Sequence, residues 1–351
     1  MTVNDSSPIP AAIRDVDHLD QLLSTPTEGV IDTFSRLAGD VIILGVAGKM
    51  GPTLAWMARR AFDAAGRPNR RVIGVARFTT PATELWLRER GIETIRCDLL
   101  QPGALDQLPE VPHVVSMFAM KFGSTGQEHQ TWAMNSFLPG LVALKYRRSR
   151  IVAFSTGNVY GLVPVASGGS RETAMPRPVG EYAMSCLGRE RALEHFSRAL
   201  EIPMALIRLN YAVEMRYGVL VDLAQKVMAG LPIDLAMGHF NVIWQADANA
   251  IALRSFDHAS TPPMVLNVTG PETLSVRQVA KRLGDRFGRA VGLVGAEAAD
   301  ALLSDATLCR SLFGPPRIGA GDLIDLTARW LMGGGLTLDK PTHFEARDGR
   351  F

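Results

Sequence analysis

Cysteine is scarce in this chain. Cys97, Cys186 and Cys309 are too few and too far apart over 351 positions for a disulfide framework or a Cys-x-x-Cys metal knuckle. A reducing compartment, the cytoplasm, is therefore expected. Charge of one sign is lacking too: 37 Lys and Arg against 35 Asp and Glu leave a formal +2. With no basic stripe, no nucleic-acid partner is expected. Long apolar runs are missing. The longest, Val41 to Val46 with Ala47, is far short of a bilayer span, so no membrane association is expected. The polar, Pro-punctuated opening residues carry no secretory-type apolar stretch. The seven scattered histidines form no His-Glu-x-x-His or Cys/His set, so no metal site is expected. No Gly-x-Ser-x-Gly elbow marks a serine hydrolase. What is present is core: 47% hydrophobic and 21% charged residues exclude a disordered chain. The length suits one large α/β unit or two modest domains.

From residue 41, short apolar runs alternate with amphipathic stretches. Strands are expected over 41–44, 71–76, 92–97, 113–119, 150–155 and 204–209, with helices over 52–65, 84–90, about 131–145 and 181–200. Such alternation predicts parallel crossovers, hence a Rossmann-type doubly wound parallel sheet. After Asn210 the rhythm changes, with helices expected over 217–229, 274–287 and 322–331 and a late strand over 264–268. The expected division is an N-terminal arm (1–40), a Rossmann domain (41–210), and a small mixed α/β cap with a C-terminal tail (211–351). Some late segments are expected to return to the sheet. In the arm, Val16 to Leu23 has a helical apolar stripe, and residues 33–37 suit only a short turn.

Gly45-Val46-Ala47-Gly48-Lys49-Met50-Gly51 follows the first strand directly and opens a helix with Pro52 near its start. Glycines at this spacing allow a tight turn, close backbone approach to phosphate and close strand–helix packing, with a helix N terminus facing a diphosphate. Placement between strand and helix separates this loop from a chance glycine triplet. A P-loop is disfavoured, because Met50 follows Lys49 where a magnesium-binding Ser or Thr belongs. The second strand ends Val75-Ala76-Arg77, without the acid that holds ribose hydroxyls in NAD sites. Arg77 can fork a 2′-phosphate, with Lys49 adding charge, so NADP is favoured over NAD. The alternative places adenosine on Asp98 after the third strand, with Arg77 solvated.

Phe154-Ser155-Thr156-Gly157-Asn158-Val159-Tyr160-Gly161 ends one strand, and Glu181-Tyr182-Ala183-Met184-Ser185-Cys186 lies on a helix. With the glycine loop, these segments resemble the extended short-chain dehydrogenase/reductase superfamily, the group containing NAD-dependent epimerases and dehydratases. Met134-Asn135-Ser136, Arg208-Leu209-Asn210 and the segment Phe240 to Asp247 fit its later motifs. The resemblance covers residues 41 to about 290. It implies a dinucleotide held by Gly45, Ala47, Gly48, Lys49, Met50, Gly51, Arg77, Asp98, Leu99, Phe118, Ala119, Asn135 and Tyr182. It also implies Tyr182 as the acid/base and Thr156 as the hydroxyl orienting the substrate. A free phenol titrates near ~10 and needs a neighbouring cation to work at neutral pH. The family places a lysine four residues after the tyrosine; this chain has Cys186. Lys121, beyond the fourth strand, is the better-placed substitute, and Arg189, seven residues after Tyr182, is the other.

On the substrate side the candidates are Asn158, Asn210, Arg216, His239, Asn241 and Trp244. Arg216 suits an anionic group and Trp244 a sugar face. The resemblance implies reversible hydride transfer between NAD(P) and a sugar or sugar-derived alcohol, ending in net oxidation or in epimerisation. It also implies a homodimer seam along the helices at 131–145 and 181–200. The competing reading, prompted by Cys186, is a dinucleotide-binding sensor or regulator without catalysis.

Overall fold

The computed structural model describes residues 12–350; residues 1–11, the start of the expected arm, and 351 lie outside the described residues. Seven strands make one parallel sheet: β1 Val41–Leu44, β2 Val72–Ala76, β3 Glu93–Arg96, β4 His113–Ser116, β5 Arg150–Thr156, β6 Met204–Leu209 and β7 Met264–Val268. Their order is β7-β6-β5-β4-β1-β2-β3, so the chain reverses direction between β1 and β4. The register aligns Leu44 with Val75 and Ser116, and Thr156 with Leu209. β1 and β4 are buried along their whole length, which is why they read as short apolar runs without alternation. The reversal opens a crevice at the carboxyl ends of the strands, where a doubly wound sheet binds its ligand.

The helices are α1 Val16–Leu23, α2 Glu28–Arg36, α3 Gly51–Ala64, α4 Pro81–Arg88, α5 Glu128–Trp132, α6 Leu138–Lys145, α7 Gly180–Leu200, α8 Val219–Met228, α9 Gln245–Arg254, α10 Val276–Phe287, α11 Thr307–Phe313 and α12 Ala320–Met332. One helix was expected over about 131–145. Instead a π-type turn, Ala133–Phe137, joins α5 to α6, with Pro139 in the first turn of α6. Proline has no amide to donate, and the widened turn accommodates it. Where only a turn was expected at 33–37, Thr27 caps a full helix by accepting the Val30 amide at 3.2 Å. α9 escapes pattern reading for another reason. Nine of its ten residues, from Gln245 to Leu253, are buried, so it has no polar face.

One sheet face packs on α3 and α9 and carries the leading helices; Phe34 and Phe62 meet edge to face at 4.7 Å. The other face packs on α6 and α7 through Leu138, Val142, Tyr146 and Leu193. α8, α10 and α12 pack on one another, and β7 returns to the sheet edge beside β6. Among the described residues no helix is long and apolar enough to cross a membrane, and no cluster of His, Cys, Asp and Glu could hold a metal ion.

Candidate active site

The glycine loop leaves β1 with Gly45 at φ +87°, where a β-carbon would press on the Phe118 amide at 2.8 Å. A β-carbon at Gly51 would collide with the Val46 backbone. Both glycines are therefore demanded by close approach of backbone to backbone. α3 starts at Gly51, and no side chain caps its N terminus. An uncapped helix start beside a glycine turn suits a diphosphate. A cavity of about 260 Å³ opens there, lined by Gly45, Ala47, Gly48, Arg77, Asp98, Leu99, Phe118 and Ala119 among others. Arg77 is exposed on its rim, while Asp98 accepts the Leu100 amide at 3.1 Å.

Gly48, Met117 and Ala119 also line a second cavity, of about 320 Å³, so the two are ends of one trough. Lys49, Met50, Lys121, Phe122, Tyr182, Arg189, Tyr211 and Tyr217 contribute to its walls.

Tyr182 reaches the trough from α7. Its buried face carries Tyr182, Ser185, Cys186, Arg189, Glu190, Leu193 and Ser197, the three- and four-residue spacing of one helix side. Tyr182 is nearly buried, and with Cys186, Val159 and Tyr160 forms a small apolar cluster. Burial, foremost, and the neighbouring Cys186 push the phenol well above its ordinary range; Arg189 and a hydrogen bond with Thr156 oppose this. Thr156 also accepts from the Asn158 amide at 3.2 Å and from Asn158 Nδ2 at 2.9 Å. Cys186 is fully buried, and burial raises its thiol pKa as well. Arg189 is fixed: its guanidinium donates to the Phe154 carbonyl at 2.6 Å, the Asn135 carbonyl at 3.2 Å and Asn135 Oδ1 at 3.1 Å.

Asn135 does not line either cavity. Its amide bridges the Met120 backbone, accepting at 2.9 Å and donating at 2.9 Å, and also donates to Ser185 at 3.0 Å. It ties α7 to the loop that carries Lys121. That lysine lies 5.8 Å from the Tyr182 ring and 5.4 Å from the Phe122 ring. Burial lowers its pKa to about 8, against the opposing charges of Cys186 and Asp222.

The substrate-side candidates are not brought together. Arg216 is held between Asp20 and Glu214, each at 2.9 Å, because the leading helix supplies an acid that no local pattern reveals. Trp244 is buried beside the start of α9, and His239 pairs in a two-stranded ribbon with Ser275. Asn210 donates to the Leu302 carbonyl at 3.4 Å, and Asn241 spans Glu272 and Ser304. None of these five residues lines the trough, nor does Asn158, which is bound to Thr156. The residues missed are Phe122, Tyr211, Tyr217 and Thr342. The last belongs to the C-terminal tail and lines the trough: the Thr342 amide and hydroxyl bind Asp222 at 2.8 and 2.6 Å. Phe344 packs on Phe240 with ring centroids at 5.9 Å.

Residues 41–213 match the sequence model of the NAD dependent epimerase/dehydratase family. Among solved structures, MoeE5 in complex with UDP-glucuronic acid and NAD superposes with a TM-score of 0.69 at 21% identity, over 84% of this chain and 100% of that one. UDP-glucuronic acid 4-epimerase from Bacillus cereus, in complex with UDP-glucuronic acid and NAD, gives 0.69 at 16% identity, over 84% and 99%. The Bordetella bronchiseptica enzyme WbmG, in complex with NAD and UDP, gives 0.66 at 21% identity, over 86% and 96%. No curated protein matches the chain by sequence. At these identities the likeness establishes the Rossmann-type fold.

Proposed function

Residues 41–213 belong to the NAD-dependent epimerase/dehydratase family, and from that premise we propose an NAD(P)-dependent oxidoreductase or epimerase acting on a sugar or sugar-derived alcohol by reversible hydride transfer. The observation that carries this reading is the single trough running from a glycine-built anion cradle to one buried phenol. A bound nicotinamide dinucleotide supplies the hydride chemistry. The residues present suit it: backbone at Gly45 to Gly51 would hold the diphosphate, and Arg77 or Asp98 the adenosine ribose. Arg77 on the rim carries the NADP reading.

Tyr182 moves the substrate hydroxyl proton, and Thr156 holds the phenol in place. A phenol raised by burial stays protonated at neutral pH, so its poised role is to donate to a carbonyl oxygen, the reductive direction. Lys121, titrating at about 8, can return the proton, while Arg189 contributes fixed positive charge without proton exchange. Exposed Phe137, Leu144 and Met184 on and beside α6 and α7 supply the seam for a homodimer.

Cys186 beside Tyr182 favours the second reading, a dinucleotide-binding regulator without turnover. The test is turnover on a sugar and polyol panel, followed through reduced-nicotinamide absorbance and product isomers. Tyr182→Phe is expected to lose about 10²–10⁴-fold in kcat, with dinucleotide affinity kept. Lys121→Met is expected to shift the pH profile as well as the rate. Full activity in both variants would refute the assignment, and tight cofactor binding with no turnover in the wild type would favour the regulator.

A further inference from the structure

Two lysines from distant parts of the sequence line the substrate end of the trough. Lys49 comes from the glycine loop and Lys121 from the loop after β4; Lys340, on the C-terminal tail, is exposed and outside that lining. The Lys49 ammonium sits 3.2 Å over the Tyr217 ring and 4.7 Å from the Phe122 ring. The Lys121 ammonium lies 5.4 Å from that same Phe122 ring, on the side of Tyr182. Two lysines thus share one aromatic wall of a cavity whose other walls include Tyr211, Val219 and Met117.

The acid that acts on both lysines is Asp222, and its carboxylate is engaged by the Thr342 amide and hydroxyl. Burial pulls Lys49 down to about 7, with Lys340 and Lys121 adding to the effect and Asp222 opposing it. Gathering cations in a partly desolvated cleft costs stability, and an anion arriving there offsets that cost.

We propose that Lys49 and Lys121 form an anion subsite for the substrate, so the sugar-derived alcohol carries a carboxylate or phosphate beside the carbon that meets Tyr182. The proposal rests on the hydride-transfer reading and deepens it. Lys121 reaches both the Phe122 wall and the Tyr182 ring, so the anion and the reacting hydroxyl sit on one small molecule.

The experiment uses the NADH-loaded protein and isothermal titration with glucose, glucuronate and glucose 6-phosphate; NADH affinity is measured first. Glucuronate or glucose 6-phosphate is expected to bind at least about tenfold tighter than glucose, and whichever of them wins identifies the anion. In Lys49→Met and in Lys121→Met that preference is expected to fall towards unity. Equal affinity for glucose, no heat with either anion, or a preference intact in both variants would overturn the subsite. Loss of NADH affinity alone in Lys49→Met, with the preference intact, would assign that lysine to the cofactor diphosphate and overturn it too. A wild type that binds no NADH would overturn the functional reading itself, a result distinct from loss of preference in a protein that does.

Discussion

Glu190 and Arg208 lie 2.6 Å apart between α7 and β6, both almost fully buried. Ser155 donates to Glu190 at 2.5 Å, Arg208 donates to Tyr160 at 2.7 Å, and Tyr160 donates to Asn267 at 2.7 Å. Although burial works against its charge, Glu190 holds the Arg208 guanidinium above its usual range. At the trough, by contrast, burial drags Lys49 and Lys121 down to about 7 and 8. The first cluster is closed on itself and pins the ends of β5, β6 and β7 to α7. The second is built from cations that lose by being there. In the first cluster charge meets its counter-charge at hydrogen-bond distance; in the second, burial outweighs the opposing charge of Asp222.

Breaking the closed cluster has the largest expected effect on stability. Glu190→Ala leaves Arg208 buried without its carboxylate and should cost about 3–5 kcal/mol in denaturant unfolding. Replacing Glu190 and Arg208 together by methionine should recover much of that. Equal losses in the single and double variants would show that packing, not charge, dominates there.

The open cluster should respond in the opposite sense. A lysine whose folded pKa lies below its unfolded value of 10.5 binds fewer protons when folded, so stability rises with pH between about 7 and 10.5. Below about pH 7 the cost of the Lys49 charge reaches its full value. Lys49→Met should therefore raise the melting temperature by a few degrees at or below pH 7, with the gain fading towards pH 10. A destabilised Lys49→Met, or a gain independent of pH, would break the contrast between the two clusters.

Much of this arrangement was legible in the sequence, and the exceptions have physical causes. Local chemistry announces itself. Gly45 and Gly51 follow a buried strand because the loop backbone must pass Phe118 and Val46 closely, and Tyr182 lies on a helix with a regular buried face. Partners far away in sequence do not. Arg216 reads as a free cation until Asp20 is seen beside it, and Trp244 reads as a sugar platform until its burial is seen. Lys340 to Phe344 has no periodicity at all. Its position beside the trough depends on Asp222 and Phe240, which the chain reaches more than a hundred residues earlier.

The central claim is that the glycine loop grips a nicotinamide dinucleotide and directs it towards Tyr182. Its most direct test is a fluorescence titration of the protein with NADH and NADPH, repeated on Gly51→Val and Arg77→Ala. Saturable binding is expected in the wild type, lost in Gly51→Val, with Arg77→Ala weakening NADPH by about tenfold and sparing NADH. Absence of binding by either dinucleotide, or binding undiminished in Gly51→Val, would contradict it.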